Sequence, residues 1–182
     1  SNRGAVVTNK IGQEYFQPAK FIVDASGQSA LLARNLNLRQ WDENFQNLAV
    51  YGYFAGAKKL PLPDENNIFI ESYENGWVWT IPLNDDITSV GAVVDSNESN
   101  AELRKTDPIT FLKDQLSLTN RTSDMLSEAE LKSDAKIIKD WSYTTSKMAG
   151  DGWVLAGDAA CFIDPLFSSG VHLAMMSGVL AS

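Results

Sequence analysis

The sequence predicts a mixed α/β (α+β) fold in two parts, a ligand-binding α/β layer and an inserted, mainly antiparallel β-sheet. Two stretches, Lys20 to Asp24 (KFIVD) and Trp153 to Asp158 (WVLAGD), share one design: an apolar run, a carboxylate, small residues, then a helical pattern. Between them lie Leu48 to Phe54, Asn67 to Tyr73, Gly76 to Ile81 and Ser89 to Val94, all rich in aromatic and β-branched residues. Pro61, Pro63, Pro82 and Asn84-Asp85-Asp86 separate them, as turns separate the strands of an antiparallel sheet. The two Asp-terminated strands stand near opposite ends of the chain, which makes them neighbours in one sheet with the rest inserted. Strand carboxyl ends are where open α/β sheets bind ligands, so this is read as a cofactor-binding sheet. The expected domains are 1–47 and 135–182 for that layer and 48–134 for the insert.

The remaining elements follow in order. Ala5 to Thr8 and Gln13 to Phe16 can close a hairpin across Asn9-Lys10-Ile11-Gly12. Ala25-Ser26-Gly27 turns the chain into a helix over Ser29 to Leu36, with Leu31, Leu32 and Leu36 inward. Pro108 suits the first turn of a helix capped by Asp107 or Thr106 and buried through Phe111, Leu112 and Leu116. Ser127 to Lys132 reads as helical, and Ala135 to Ser142 as a strand returning to the first sheet. Trp153 to Ala156 is nearly continuous apolar, as expected of a strand covered on both faces. Gly170, Ala174, Gly178 and Ser182 then put small residues on one face of the last helix. Close approach to a flat ligand and tight helix-on-sheet packing without any ligand both fit that row. The chain opens at Ser1-Asn2-Arg3 directly into a strand and closes in a helix without a C-cap signal, so a segment of a longer polypeptide is expected.

Composition removes several function classes. Fifteen basic against 23 acidic residues give a net charge of -8, which argues against nucleic acid or an anionic membrane as partner. Cys161 is the only cysteine and His172 the only histidine, so no internal disulfide, and scarcely a zinc site or a serine–histidine pair, can be assembled. No calcium-loop spacing occurs, and no metal site is expected. Without a signal-peptide pattern or an apolar run of membrane-spanning length, a cytoplasmic location is expected.

Trp77 and Trp79 alternate on one face of a strand that Pro82 ends. Two indoles there can form a planar wall for an aromatic substrate or an isoalloxazine ring, or a large-residue sheet core.

Three pieces carry a family resemblance: FIVDASGQSALLAR (Phe21 to Arg34), GWVWTIP (Gly76 to Pro82) and GWVLAGDAACFIDPLFSSGVHLA (Gly152 to Ala174). They resemble the flavin-dependent halogenases, which belong to the FAD-dependent aromatic monooxygenases with the hydroxybenzoate-hydroxylase fold. The resemblance covers essentially the whole chain as a middle portion. Asp24-Ala25-Ser26-Gly27 and Gly157-Asp158 are shared by the entire flavoprotein group and specify FAD. Trp77-x-Trp79-x-Ile81-Pro82 matches the halogenase signature and is the discriminating piece.

The resemblance implies that Asp158 binds a ribityl hydroxyl of FAD, with Gly157 allowing the approach, and that Asp24 and Gly27 line the cofactor cleft. Pro165 through Gly170 would run beside the isoalloxazine. Backbone amides near Ser169 and Gly170 would hold the halide, which suits consecutive N–H groups at a helix start. Trp77, Trp79 and Pro82 would lie near the active site. The implied chemistry uses reduced FAD from a separate flavin reductase, O2 and chloride or bromide. A flavin hydroperoxide yields hypohalous acid, and a lysine outside this chain delivers the halogen to an electron-rich ring.

The sequence departs from the family in two ways. The Gly-rich dinucleotide fingerprint and the catalytic lysine are absent, and none of Lys10, Lys20, Lys58 or Lys59 has a matching context, so the isolated chain is expected to be nearly inactive. Phe167 stands where the tryptophan halogenases carry a glutamate, and phenylalanine cannot accept a proton. That directs the expectation to phenolic, pyrrolic or carrier-protein-tethered substrates. The rival readings are an aromatic or alkene monooxygenase on the same fold, and a non-catalytic flavin-fold scaffold. Cys161 and His172 are read as packing residues before any redox or charge-tuning role.

Overall fold

The computed structural model describes residues 4–84 and 86–182, and among these every side chain except those of Glu98, Asp140 and Trp141. The opening Ser1 to Arg3 and the middle of the Asn84-Asp85-Asp86 turn fall outside the described residues. The chain divides into two units, one formed by 1–42 with 142–182 and the other by 43–141.

In the first unit, β1 (Gly4–Thr8) and β2 (Glu14–Pro18) pair antiparallel with Val6 opposite Phe16. Asn9 Oδ1 accepts from the backbone of Ile11 and Gln13, and Gly12 takes φ +82°, so the turn has the chemistry expected of it. β3 (Ile22–Asp24) leads through a 3-10 turn at Gly27–Ser29 into α1 (Leu31–Asn35). Of the expected inward leucines only Leu32 packs against the core of this unit. Leu31 and Leu36 are exposed, and Ala30 and Ala33 are the fully buried residues. The 3-10 turn and left-handed Ala30 (φ 40°) delay the helix start and so rotate its inner face.

β4 (Arg39–Ala55) is far longer than the stretch from Leu48 to Phe54 that its aromatic content marks. The second unit is built on it. β5 (Phe69–Tyr73), β6 (Gly76–Pro82) and β7 (Ile87–Asp95) are followed by α2 (Ser96–Leu103), α3 (Pro108–Ser117) and α4 (Arg121–Met125). β8 (Glu130–Leu131) and β9 (Lys136–Thr145) complete a sheet ordered β5-β6-β7-β4-β8, with β9 also paired to β4. Every pairing along β5-β6-β7-β4 is antiparallel; Val78 and Val50 each lie opposite Ala92, while Trp79 and Tyr51 lie opposite Gly91. Period-two alternation therefore sends Val50, Val78, Val90 and Ala92 to one face, where Phe111 and Leu112 of α3 bury them. Asp107 caps α3 by accepting from Ile109 N and Thr110 N, with Pro108 at its first turn. The helix expected over Ser127 to Lys132 is instead a turn and β8, with Leu131 opposite Phe54. Strand pairing and burial override the helix propensity of Glu128-Ala129-Glu130-Leu131.

Glu71 on β5 caps α4, accepting from the backbone N–H groups of Asn120, Arg121 and Thr122 at 2.9, 3.1 and 2.8 Å and from Thr122 Oγ1 at 2.8 Å. Partial burial opposes its charge, but those donors outweigh it and hold the carboxyl below its ordinary value. A depressed carboxylate contributes stability that is present above the unfolded value, near 4.5, and lost as pH falls through the folded one. Glu71→Ala is expected to cost about 2 kcal/mol at neutral pH. Urea melts at pH 7 and in acid should show that difference shrinking on acidification.

Returning to the first unit, β10 (Ala149–Gly150) and β11 (Trp153–Leu155) join β3 in the order β10-β11-β3, and α5 (Gly170–Leu180) closes the chain. β11 and β3 run parallel with Leu155 beside Asp24, so the two strands end side by side, β3 on Asp24 and β11 three residues before Asp158. In β11 Trp153 and Val154 are half-buried and Leu155 is buried, so the expected coverage on both faces forms only in part. Leu155 packs with Ala30, Ala33 and Ala160, whereas Val23 is 55% exposed because no described residue of this unit covers that side.

Candidate functional site

At the first strand end, Asp24 is buried and its oxygens are occupied by the chain itself. Oδ1 accepts from Ser26 N at 3.0 Å and Oδ2 from Leu32 N at 2.6 Å. Burial opposes its charge, yet hydrogen bonds from Ser26, Leu32 and Ala33 prevail and keep the carboxyl below its ordinary value. Asp24 thus fixes the turn in which Gly27 takes φ +63°.

The second strand end differs. Asp158 is half-buried in a 3-10 turn at Gly157–Ala159, and among the described residues no donor reaches its carboxylate. Burial pushes this carboxyl up, with nothing to offset it. Gly157 (φ +59°) makes its close approach to α5: its N–H donates to Ser177 Oγ at 2.7 Å, and a Cβ would lie 3.2 Å from Ala174 Cβ. Of the small-residue row on α5, Ala174 meets this turn, while a Cβ at Gly170 or Gly178 would meet open space. The row therefore serves helix packing at one point and leaves the rest free.

Between these elements, Asp164 caps a 3-10 turn at Pro165–Phe167 through Leu166 N at 2.8 Å, and Ser168 adopts φ 51°. Ser169 precedes α5 without a side-chain cap bond, so the helix starts at Gly170 with its first amides unserved by a side chain. Phe167 is 88% exposed. Burial, then the Asp158 charge, raise the Cys161 thiol, which disfavours the reactive thiolate and fits a packing residue. His172 is exposed on α5.

In the second unit, Trp77 and Trp79 occupy the sheet face opposite Val78 and Thr80, which are the core residues of β6. Their ring centroids are 6.0 Å apart, and Tyr51 and Tyr53 extend the row, with Tyr51 5.9 Å from Trp79 and 6.1 Å from Tyr53. Trp79 Nε1 donates to Ser89 Oγ at 3.2 Å. The indole benzo ring lies on Gly91, where a side chain would collide. Pro82 is the last residue of the strand, paired opposite Thr88.

This chain is matched over residues 2–180 by the tryptophan halogenase family model. It belongs to the tryptophan halogenase family. A flavin-dependent halogenase of Pestalotiopsis fici is 39% identical over 171 residues, which are 89% of this chain and 32% of that protein. A tryptophan 2-halogenase of Chondromyces crocatus is 39% identical over 166 residues, 90% of this chain and 32% of that one. A 1H-pyrrole-2-carbonyl-[peptidyl-carrier protein] chlorinase of Pseudomonas fluorescens is 37% identical, covering 98% of this chain and 41% of its own length. The crystal structure of the flavin-dependent halogenase CmlS superimposes with a TM-score of 0.91 at 39% identity, covering 97% of this chain and 32% of that one. A flavoprotein/dehydrogenase from Cytophaga hutchinsonii superimposes at 0.83 with 26% identity, covering 97% of this chain and 44% of that chain. The chain thus has the fold of the FAD-dependent halogenases, hydroxybenzoate-hydroxylase-like, and spans about a third of the length of the first two relatives.

The residues present fit FAD. Asp158 is a half-buried carboxylate just beyond a strand's carboxyl end that no donor among the described residues reaches, the environment in which a ligand hydroxyl would be held. Among the described residues no helix is long and apolar enough to cross a membrane, and no cluster of three or more metal-ligating side chains occurs. Two residues of the first unit, Arg39 and Tyr143, escape sequence reading. Nothing in their local pattern separates them from ordinary strand residues.

Proposed function

We propose that the protein carrying this chain is an FADH2-dependent halogenase of electron-rich aromatic substrates. The observation that supports it best is the paired indoles of Trp77 and Trp79 in the Trp-x-Trp-x-Ile-Pro signature of β6, away from the hydrophobic core. FAD, reduced by a separate flavin reductase in the cytoplasm, supplies with O2 the oxidising chemistry that makes halide electrophilic.

The chain's own residues bind and orient. Asp158 accepts a hydrogen bond from a ribityl hydroxyl, and that donor relieves the burial of its charge. Asp24 and Gly27 keep the neighbouring turn in shape, and Pro165 opens the segment beside the flavin ring. The backbone N–H groups at Ser169 and Gly170 receive the halide, since the start of α5 has no side-chain cap to compete. Trp77 and Trp79 present an aromatic surface suited to an electron-rich aromatic substrate. Phe167, which cannot exchange a proton, supports a phenolic, pyrrolic or carrier-tethered substrate over free tryptophan. Relatives with tryptophan and with carrier-bound pyrrole in their names are 39% and 37% identical, so overall similarity does not choose between these classes.

The fold also occurs in a flavoprotein/dehydrogenase from Cytophaga hutchinsonii, so the fold by itself does not require halogenation, and monooxygenation is the second reading to be tested. The full-length protein with a flavin reductase, FAD, O2, bromide and free and carrier-tethered phenols and pyrroles separates the two. Mass spectra are expected to show the paired bromine isotope pattern, dependent on FAD and bromide. A product heavier by one oxygen and indifferent to bromide would favour the monooxygenase.

A further inference from the structure

Arg39, the first residue of β4, reaches the turn after β3 directly and the turn after β11 through Tyr143. Its Nη2 donates to Gln28 O at 2.6 Å, within the turn that follows Asp24. Its guanidinium lies 4.1 Å from the ring centroid of Tyr143 and 4.9 Å from that of Trp41. Tyr143, only 4% exposed, donates its hydroxyl to the backbone carbonyl of Asp158 at 2.5 Å. The phenol ring is held on its other sides by Trp41, edge-on at 5.3 Å, and by Phe162, stacked at 6.1 Å. The backbones of Tyr143 and Phe162 also exchange both their hydrogen bonds.

We propose that Arg39 and Tyr143 form a clamp that ties the Gln28 turn to the Asp158 turn and aims the Asp158 carboxylate at FAD. The inference rests on the reading of Asp158 as the flavin contact. Both residues are positioning residues, because their polar groups on the page bind backbone carbonyls of the two turns. Planarity is essential to the device. One face of the guanidinium covers an aromatic ring while an edge N–H holds Gln28, a geometry that lysine cannot reproduce. Burial, moderated by the Arg39 charge, pushes the Tyr143 phenol up to about 12, so it remains a donor at any working pH. A carbonyl fixed at Asp158 also fixes the φ and ψ that direct its side chain, and small misplacements of a binding group are costly.

The test is a double-mutant cycle on FAD affinity in the full-length protein, read by quenching of flavin fluorescence, with circular dichroism and Tm of each flavin-free variant alongside. Tyr143→Phe keeps the ring and removes one hydroxyl; it should weaken FAD binding five- to tenfold at an unchanged fold. Arg39→Lys keeps the charge and should weaken binding by about tenfold, which covers the case in which Tyr143→Phe proves unstable. In an Asp158→Ala background Tyr143→Phe should have no further effect, since nothing is left to aim. Native-like affinity in both single variants, or an undiminished Tyr143→Phe effect without Asp158, overturns the clamp. If Asp158→Ala alone leaves FAD affinity intact, the flavin reading of Asp158 falls first and takes the clamp with it.

Discussion

Replacing Asp158 with alanine should weaken FAD binding by roughly 10- to 100-fold while raising the Tm of the flavin-free protein. The two effects have one cause. In the flavin-free fold the carboxylate is half-buried, no described donor reaches it, and burial alone pushes its pKa up. A carboxyl raised in the folded state binds its proton more tightly there than in the unfolded chain. Its contribution therefore turns unfavourable as pH rises through the unfolded value near 3.8 and stays so at neutral pH. Removing the charge relieves that cost. With FAD bound, the carboxylate gains a charge-assisted hydrogen bond, worth about 1.5–3 kcal/mol when lost. Each 1.4 kcal/mol is about a tenfold change in affinity. Asp158→Asn, which keeps an acceptor oxygen but no charge, should fall between wild type and alanine. Thermal melts and FAD titrations of the full-length variants check both signs. A variant that loses Tm and keeps affinity would make Asp158 a structural residue like Asp24.

Asp24 and Asp158 show how far the sequence could be read. Both follow an apolar run, and their shared design made β3 and β11 neighbours in one sheet; the structure pairs them, in parallel, with Asp24 beside Leu155. Their different employment was hidden. Asp24 is served by backbone N–H groups two and eight residues ahead, a loop geometry that no spacing rule encodes, whereas no donor among the described residues reaches Asp158. In the antiparallel sheet, aromatic and β-branched content marked β5, β6 and β7 to within two residues, because period-two alternation is written directly in side-chain type. β8 was misread because Glu128-Ala129-Glu130-Leu131 has good helix formers, and only pairing with Phe54 and Ala55 makes it a strand. The same limit hid the Arg39–Tyr143 contact. It joins residues 104 positions apart (143 − 39), and only the folded chain brings guanidinium and ring to 4.1 Å.

Gly91→Ala is the substitution expected to disturb the signature strand most, at a cost of about 2–3 kcal/mol. β7 places Gly91 between Trp79 of β6 and Tyr51 of β4, its partner on either side. A Cβ there would lie 2.4 and 2.5 Å from Trp79 Cζ2 and Cη2, and 2.6 Å from Tyr51 Cβ. Relief at Tyr51 would require the β4 backbone to shift. On the other side the indole must yield as well, although its N–H is bonded to Ser89 Oγ and its ring neighbours Trp77 at 6.0 Å. Near-UV circular dichroism should therefore lose indole signal, and the full-length protein should lose halogenated product if the two indoles contact the aromatic substrate. Trp79→Phe in the Gly91→Ala background removes the atoms that collide and should restore part of the stability, with the Tyr51 contact left to account for the remainder. Stability restored without product would separate the two jobs of Trp79, filling the space over Gly91 and shaping the surface at which halogen is transferred. Unchanged stability and spectrum in Gly91→Ala alone would mean that the indole does not rest on this glycine, and its position would then be set by Tyr51 and Trp77, whose rings are inclined to it by 42° and 52°.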